Sequence, residues 1–393
     1  MSVPAISGVE LGGGPELPLL VVGPSLGTGV AALWSPAVGR LGDAFQVLGW
    51  DLPGHGSNAD VPDDGFTMAE LAAGVLALAD RVQAERGDPG APFAYAGDSL
   101  GGAVGQQLLL DAPARVPAAV LLCTSARFGD PEGWHERAAL VRTETTTAML
   151  DSSPARWFAD GFTTREPAVA AALLDTLRHA DAEGYAAACE ALAGFDVRDR
   201  LGEIGAPVLV VSGEDDVAAP VEDGRLLAAG VRDGRQVVLP AVAHLAPAEA
   251  PEDVARLVRR HLGGRSDPST DAGTAVRRAV LGDAHVDRAD ARATDFTRDF
   301  QELITRYAWG EIWTRPGLDR RSRSMITLTA LIARGHHEEF AMHVRAARTN
   351  GLTDDEIKEV ILQAAIYCGV PDANTAFRIA QGVLDELDEE GAP

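Results

Sequence analysis

Up to about residue 263, short apolar runs alternate with longer stretches of helical spacing. The runs Leu17–Val22, Phe45–Asp51, Pro92–Gly97, Ala118–Thr124 and Pro207–Ser212 are continuous and closed by Gly, Pro or Asp. Such runs read as strands buried on both faces. Between them, Met68–Ala84 and Gly102–Asp111 repeat Ala, Leu and Val at helical intervals. Strand–helix alternation predicts a parallel, doubly wound sheet with helices on both faces. Residues 127–200 break the alternation. They are Ala-rich, with turn signals at Asp130–Gly133 and Ser152–Pro154, and predict a helical cap inserted between two strands. Alternation resumes at Pro207, and Gln236–Leu239 predicts the last strand.

Beyond residue 263 the pattern changes. Gly263–Gly273 is Gly, Ser, Asp and Pro with no apolar anchor, so residues 264–276 read as a linker. Helical patterns follow over Ala293–Trp309, Arg320–Ala333, Glu338–Asn350, Asp354–Tyr367 and Asp372–Leu387. Thr353 with Glu356 forms a capping-box start, and Asn350-Gly351 is a fitting stop. The expected architecture is an α/β domain over residues 1–263 and an all-α domain over 277–393. No internal repeat is evident.

The 393 residues are 46% hydrophobic and 23% charged, a foldable composition that argues against a disordered chain. The formal charge of −24 demotes nucleic acid as a partner, because neither half of the chain is cationic. Only one of the 34 basic residues is a lysine, Lys358. Cys123, Cys189 and Cys368 form no CxxC pair and no ligand spacing, which fits a reducing compartment. The N-terminus reads as no signal peptide, and no apolar run of membrane-spanning length exists, so a cytoplasmic protein is expected.

Gly97-Asp98-Ser99-Leu100-Gly101 is G-x-S-x-G between a predicted strand and a predicted helix. That turn lifts a serine hydroxyl above the sheet, with the Leu100 N–H facing any oxyanion beside it. A serine needs a base, and the base needs an orienting acid. An acid just past the strand Pro207–Ser212 would sit at the same sheet edge; Asp216 is the first choice and Asp215 the second. His244 follows the last strand and completes the order Ser, acid, His. The loop Gly23–Thr28 offers the Leu26 N–H as a second oxyanion donor. His55, between two glycines, reads as a turn histidine.

These residues resemble the α/β-hydrolase superfamily and, more narrowly, the 3-oxoadipate enol-lactone hydrolases. The likeness is carried by Ser25–Thr28 with Trp34, by Asp51–Ser57 (DLPGHGS), by GDSLGG, by the cap stretch Ala126–Arg142 and by His244–Glu249. Leu52-Pro53 departs from it, since many relatives carry an Arg before Gly-His-Gly. Trp134 and Arg142 are candidate substrate contacts in the cap, with packing and a surface salt bridge as the competing roles.

In the helical half, Glu339 and His343 lie at i, i+4 and share a face, with His336 a further turn away. The spacing of His336, His337 and His343 is no standard metal-ligand set. YAWGEIW to Trp313, RSMITL, the segment from His343 to Gly351 and Tyr367-x-Gly-x-Pro371 resemble the decarboxylase branch of the carboxymuconolactone decarboxylase family. Redox members of that superfamily carry a CxxC where this chain has His336 and Glu339, so dithiol chemistry is not expected. The resemblance implies His343 as acid/base and Arg323 as the cation, with Glu311 or Glu339 to orient them; Trp309 and Trp313 read as core.

Together the two resemblances imply a bifunctional enzyme of aromatic catabolism in the β-ketoadipate pathway. One half would decarboxylate 4-carboxymuconolactone, and the other would hydrolyse the resulting 3-oxoadipate enol-lactone. Neither step requires a cofactor or a metal. Small lactones are the expected partners, with homo-oligomers formed through the helical half. The alternatives are a general esterase on the first fold and a non-catalytic oligomerisation role for the second.

Overall fold

The computed structural model describes residues 3–263, 268–292 and 294–390. The chain divides between residues 264 and 265 into two compact units.

The first unit is built on seven strands: β1 Ser7–Gly12, β2 Leu19–Gly23, β3 Gln46–Asp51, β4 Ala94–Asp98, β5 Ala119–Leu122, β6 Pro207–Gly213 and β7 Asp233–Leu239. Their order across the sheet is β1-β3-β2-β4-β5-β6-β7, with β1 antiparallel to β3 and all other pairs parallel. Leu20, Val21 and Val22 of β2, Val120 and Leu121 of β5, and Val210 and Val211 of β6 have no exposed surface, as unbroken apolar runs require. Full burial of each such side chain contributes roughly 1.5–3 kcal/mol.

Helices α1 Val30–Val38, α2 Met68–Glu85 and α3 Leu100–Asp111 alternate with the early strands. Gly29 gives α1 no side-chain cap; Asp51, at the end of β3, supplies one instead, its Oδ1 accepting the Val30 N–H at 2.7 Å. α2 opens on a capping box between Thr67 and Glu70. Between β5 and β6 lies the cap: α4 Pro131–Glu144, α5 Ser153–Trp157, α6 Phe162–Arg165, α7 Pro167–His179 and α8 Ala182–Ala193. α9 Val221–Gly230, α10 Ala246–Glu249 and α11 Pro251–Leu262 complete the unit.

The second unit contains α12 Pro268–Leu281, α13 Asp283–Ala291, α14 Asp295–Ile304, a π-helical segment Thr305–Ile312, α15 Arg320–Arg334, α16 His337–Thr349, α17 Asp354–Cys368 and α18 Val370–Glu390, with no strand among the described residues. Two expectations are corrected by this arrangement. The stretch that reads as a linker turns helical from Pro268 onward, and the single helix expected over Ala293–Trp309 is an α-helix that widens into a π-helix. Ala293 itself lies outside the described residues. Gly273 accounts for the first difference: a Cβ there would lie 2.2 Å from the Thr305 carbonyl oxygen, so glycine serves close helix packing rather than a break. Leu328, Ile332, Phe340, Val344, Ile357 and Ile361 form the main core of this unit, and Val280, Trp309 and Ala346 form a smaller one. α17 leaves Leu362, Ile366 and Tyr367 exposed, followed by exposed Val370; it also carries Lys358, paired with Asp355 at 2.6 Å. Among the described residues no helix is long and apolar enough to cross a membrane.

Candidate active sites

β4 runs into α3 through Ser99, which adopts φ 54° and ψ −113°. That is left-handed territory for a non-glycine residue and is strained unless the surroundings enforce it. They do. The Ser99 N–H donates to the Leu122 carbonyl at 2.8 Å, and the Ser99 carbonyl accepts from Thr124 Oγ1 at 2.7 Å. Tyr95 Oη donates to the Gly101 carbonyl at 2.7 Å. Gly97 allows the turn, because a Cβ there would meet the Gly101 oxygen at 2.2 Å.

Three side chains from different loops meet at this turn. Ser99 Oγ lies 2.8 Å from His244 Nε2, and His244 Nδ1 lies 2.9 Å from Asp216 Oδ2. Asp216 Oδ1 accepts the N–H groups of Ala218 and Ala219 at 2.8 and 3.0 Å, which fixes the carboxylate. All three residues are buried, whereas Asp215 is exposed. Hydrogen-bonded in series, they can pass a proton from the hydroxyl to a held imidazole.

Ser25–Thr28 folds into a closed turn: the Thr28 N–H and Oγ1 both donate to the Ser25 carbonyl, at 3.1 and 2.9 Å. Neither the Leu26 nor the Leu100 N–H has a hydrogen-bond partner among the described residues. Ser25 and Leu26 line one cavity together with Ser99 and His244. His55 is buried, its Nδ1 2.9 Å from the Pro53 carbonyl and its ring stacked on Tyr185.

Most of the rest of that cavity comes from the cap. Phe128, Trp134, Arg137, Met149, Arg156, Trp157 and Tyr185 line it; among the described residues the wall contains two arginines and no carboxylate. Arg137 sits over the Trp134 ring at 4.8 Å. Burial, and then the charge of Arg137, push the Arg156 guanidinium below its ordinary pKa. Arg142 is not in this wall. It is spent on Glu183 at 2.8 Å and on Glu190, so its candidacy as a substrate contact is corrected. Arg137 and Arg156 escape a reading of the sequence because nothing in α4 or α5 distinguishes their faces before the cap is folded.

Asp98 is also buried, with neither carboxyl oxygen hydrogen-bonded among the described residues. Burial and the nearby Asp216 and Glu249 charges raise its pKa well above the usual carboxylate range.

In the second unit, His343 lies on α16 one turn before the buried Ala346. Burial first, and then His285 of α13, push the His343 pKa down to about 4; Glu339 opposes this weakly. The imidazole is therefore neutral near pH 7 in the ligand-free protein. His285 is a neighbour that the sequence pattern does not reveal. The groups acting most strongly on His343 are His285 and Glu339, not Arg323. Arg323 Nη2 donates to the Arg315 carbonyl at 2.9 Å. Glu311 is exposed, and Trp309 packs in the small core, 5.0 Å from Trp313. Arg277 of α12 is buried and donates to Thr305 Oγ1 at 3.2 Å and to Gln301 Oε1 at 3.0 Å. Among the described residues no group of three or more His, Cys, Asp or Glu is placed to hold a metal ion.

Residues 37–250 match the family described as serine aminopeptidase, S33, and residues 298–382 match the carboxymuconolactone decarboxylase family. A 4-carboxymuconolactone decarboxylase of Acinetobacter baylyi is 47% identical over 115 residues, 29% of this chain and 86% of the relative. The 3-oxoadipate enol-lactonase 2 of the same organism is 34% identical over 240 residues, 61% of this chain and 86% of the relative. The crystal structure of the enol-lactonase from Burkholderia xenovorans LB400 superposes with a TM-score of 0.60 at 34% identity, covering 65% of this chain and 96% of that one.

Proposed function

We propose that this chain, which belongs to the serine aminopeptidase S33 family of hydrolases through residues 37–250 and to the carboxymuconolactone decarboxylase family through residues 298–382, is a bifunctional 4-carboxymuconolactone decarboxylase and 3-oxoadipate enol-lactonase. The observation that carries the lactonase half is the cavity wall: two arginines and no carboxylate facing Ser99. An aminopeptidase needs an anion for the substrate's terminal ammonium. This wall instead suits a small anion, such as a lactone bearing a carboxylate side chain.

Ser99 Oγ attacks the lactone carbonyl while His244 Nε2 takes its proton; Asp216 steadies the resulting imidazolium. The Leu26 and Leu100 N–H groups receive the tetrahedral oxyanion. Its collapse breaks the ring C–O bond and expels an enolate, which takes the proton held by the His244 imidazolium and becomes the ketone, leaving His244 neutral. Water, deprotonated by His244, then releases 3-oxoadipate from Ser99. Arg156 holds the substrate carboxylate, with Arg137 beside it and Trp134 against the ring.

In the helical unit, loss of CO₂ leaves an electron pair delocalised onto the lactone carbonyl. The developing oxyanion needs a donor and the carbon a proton. We assign the proton delivered to carbon to His343, with Arg323 as the cation for a carboxylate or the developing oxyanion and Glu339 as the orienting group. Entry of a dianion favours the protonated imidazole and counters the burial that keeps it neutral. The exposed apolar residues of α17 support self-association of this unit. The test is to supply 4-carboxymuconolactone to Ser99→Ala: CO₂ should be released and enol-lactone should accumulate. Rapid formation of 3-oxoadipate by that variant would overturn the assignment of Ser99.

A further inference from the structure

α10 ends at Glu249, a half-buried carboxylate that the reaction above does not use. Its Oε1 accepts the N–H groups of Ala243 at 3.0 Å and Leu245 at 3.3 Å, the residues on either side of His244. Its Oε2 accepts the Ala159 N–H at 2.7 Å, in the cap segment that leaves α5. The same segment bonds His244 directly, because the His244 N–H donates to the Trp157 carbonyl at 3.1 Å. Arg156, next to Trp157, lines the cavity. One carboxylate therefore spans two loops: the one carrying the base and the one carrying the arginine. Burial raises its pKa above the ordinary carboxylate range, and the three N–H donors oppose that shift.

We propose that Glu249 is a positioning residue that locks the His244 loop to the cap segment carrying Arg156, so that seating the substrate's carboxylate also sets the base. This rests on the reading of the cavity as an anion-binding hydrolase site. Misplacement of a catalytic group by about 1 Å costs on the order of a hundredfold, so a link of this kind is worth having. A plain brace at the end of α10 would instead affect only stability.

The test uses two chromogenic esters that differ only in a terminal carboxylate: mono-4-nitrophenyl glutarate and 4-nitrophenyl pentanoate. Glu249→Gln keeps an acceptor for the His244 loop and turns an amide N–H toward the Ala159 N–H, breaking the cap link alone. Ala159→Pro breaks the same link from the other side. Ala159 follows Phe158, whose φ −120° and ψ 139° suit the residue before a proline. In either variant, kcat on the glutarate ester should fall by about tenfold or more, while kcat on the pentanoate ester changes by less than about threefold. An unchanged ratio between the two esters in a folded variant, whether both rates fall or neither does, would overturn the proposal. So would a lower melting temperature with both kcat values preserved. Cleavage of the glutarate ester without cleavage of the enol-lactone would sink the lactone assignment and leave this link standing.

Discussion

Arg156 is a half-buried cation with no carboxylate beside it in the cavity wall, and the cost of desolvating it is recovered only when an anion arrives. Arg156→Ala should therefore lower kcat/KM for the enol-lactone by roughly 10- to 100-fold, the range expected for a charged hydrogen bond, and leave a neutral ester nearly unaffected. Equal losses on both substrates would remove the carboxylate assignment. His343 allows a prediction with a definite sign. Its pKa falls from 6.5 in the unfolded chain to about 4 in the fold. Below pH 6.5 the unfolded chain binds a proton that the folded one refuses, so stability decreases as pH drops toward 4 and levels off above 6.5. Calorimetry between about pH 5 and pH 7.5 should show a steeper decline in melting temperature for wild type than for His343→Gln. Individual residues are legible in the sequence where chain order restricts the choice. Ser99, Asp216 and His244 follow from their order, and the structure hydrogen-bonds them in series. The arginines are not legible, since which of Arg137, Arg142 and Arg156 faces inward depends on how α4, α5 and α8 pack.

The strand-to-helix turn at Ser99 depends on its glycines. Gly97→Ala places a methyl group against the Gly101 carbonyl, so the turn must open. Hydrolysis should fall by about two orders of magnitude while CO₂ release from the second unit is retained. Loss of both activities would point to general unfolding instead. The π-helical segment makes a parallel case. Gly273 lets α12 rest directly on Thr305 and Gly310, and Gly273→Ala should push the two apart. The central strands are legible because their continuous apolar runs have the length of a strand and are too short for a buried helix. β1 is not: its side chains are alternately half-buried and exposed, as on an edge strand, and its glycines weaken the pattern. α1 is hidden by Pro36 within it and by a cap supplied from distant Asp51. α12 is hidden by Gly273 and by a composition that resembles a linker.

Two unrelated folds on one chain divide a reaction sequence at a shared lactone. His343→Ala should leave 4-carboxymuconolactone unconsumed while added enol-lactone is still hydrolysed, the complement of the Ser99→Ala result. Joining the two raises the local concentration of the shared lactone without requiring any particular arrangement of the units. Burial pushes the Cys189 thiol up to about 12 and raises Cys123 as well, so alkylating reagents should spare these two thiols and leave hydrolysis unchanged.

Because arginine replaces lysine almost everywhere in this chain, Lys358 is its sole lysine side chain. It is exposed on α17, one turn before Leu362, at the start of the bare apolar stretch that runs to Val370. An amine-directed fluorophore therefore has one lysine to react with, beside the surface proposed above for self-association. Depolarisation by energy transfer between such dyes would report assembly as a function of concentration, with no engineered cysteine and no change to either active site.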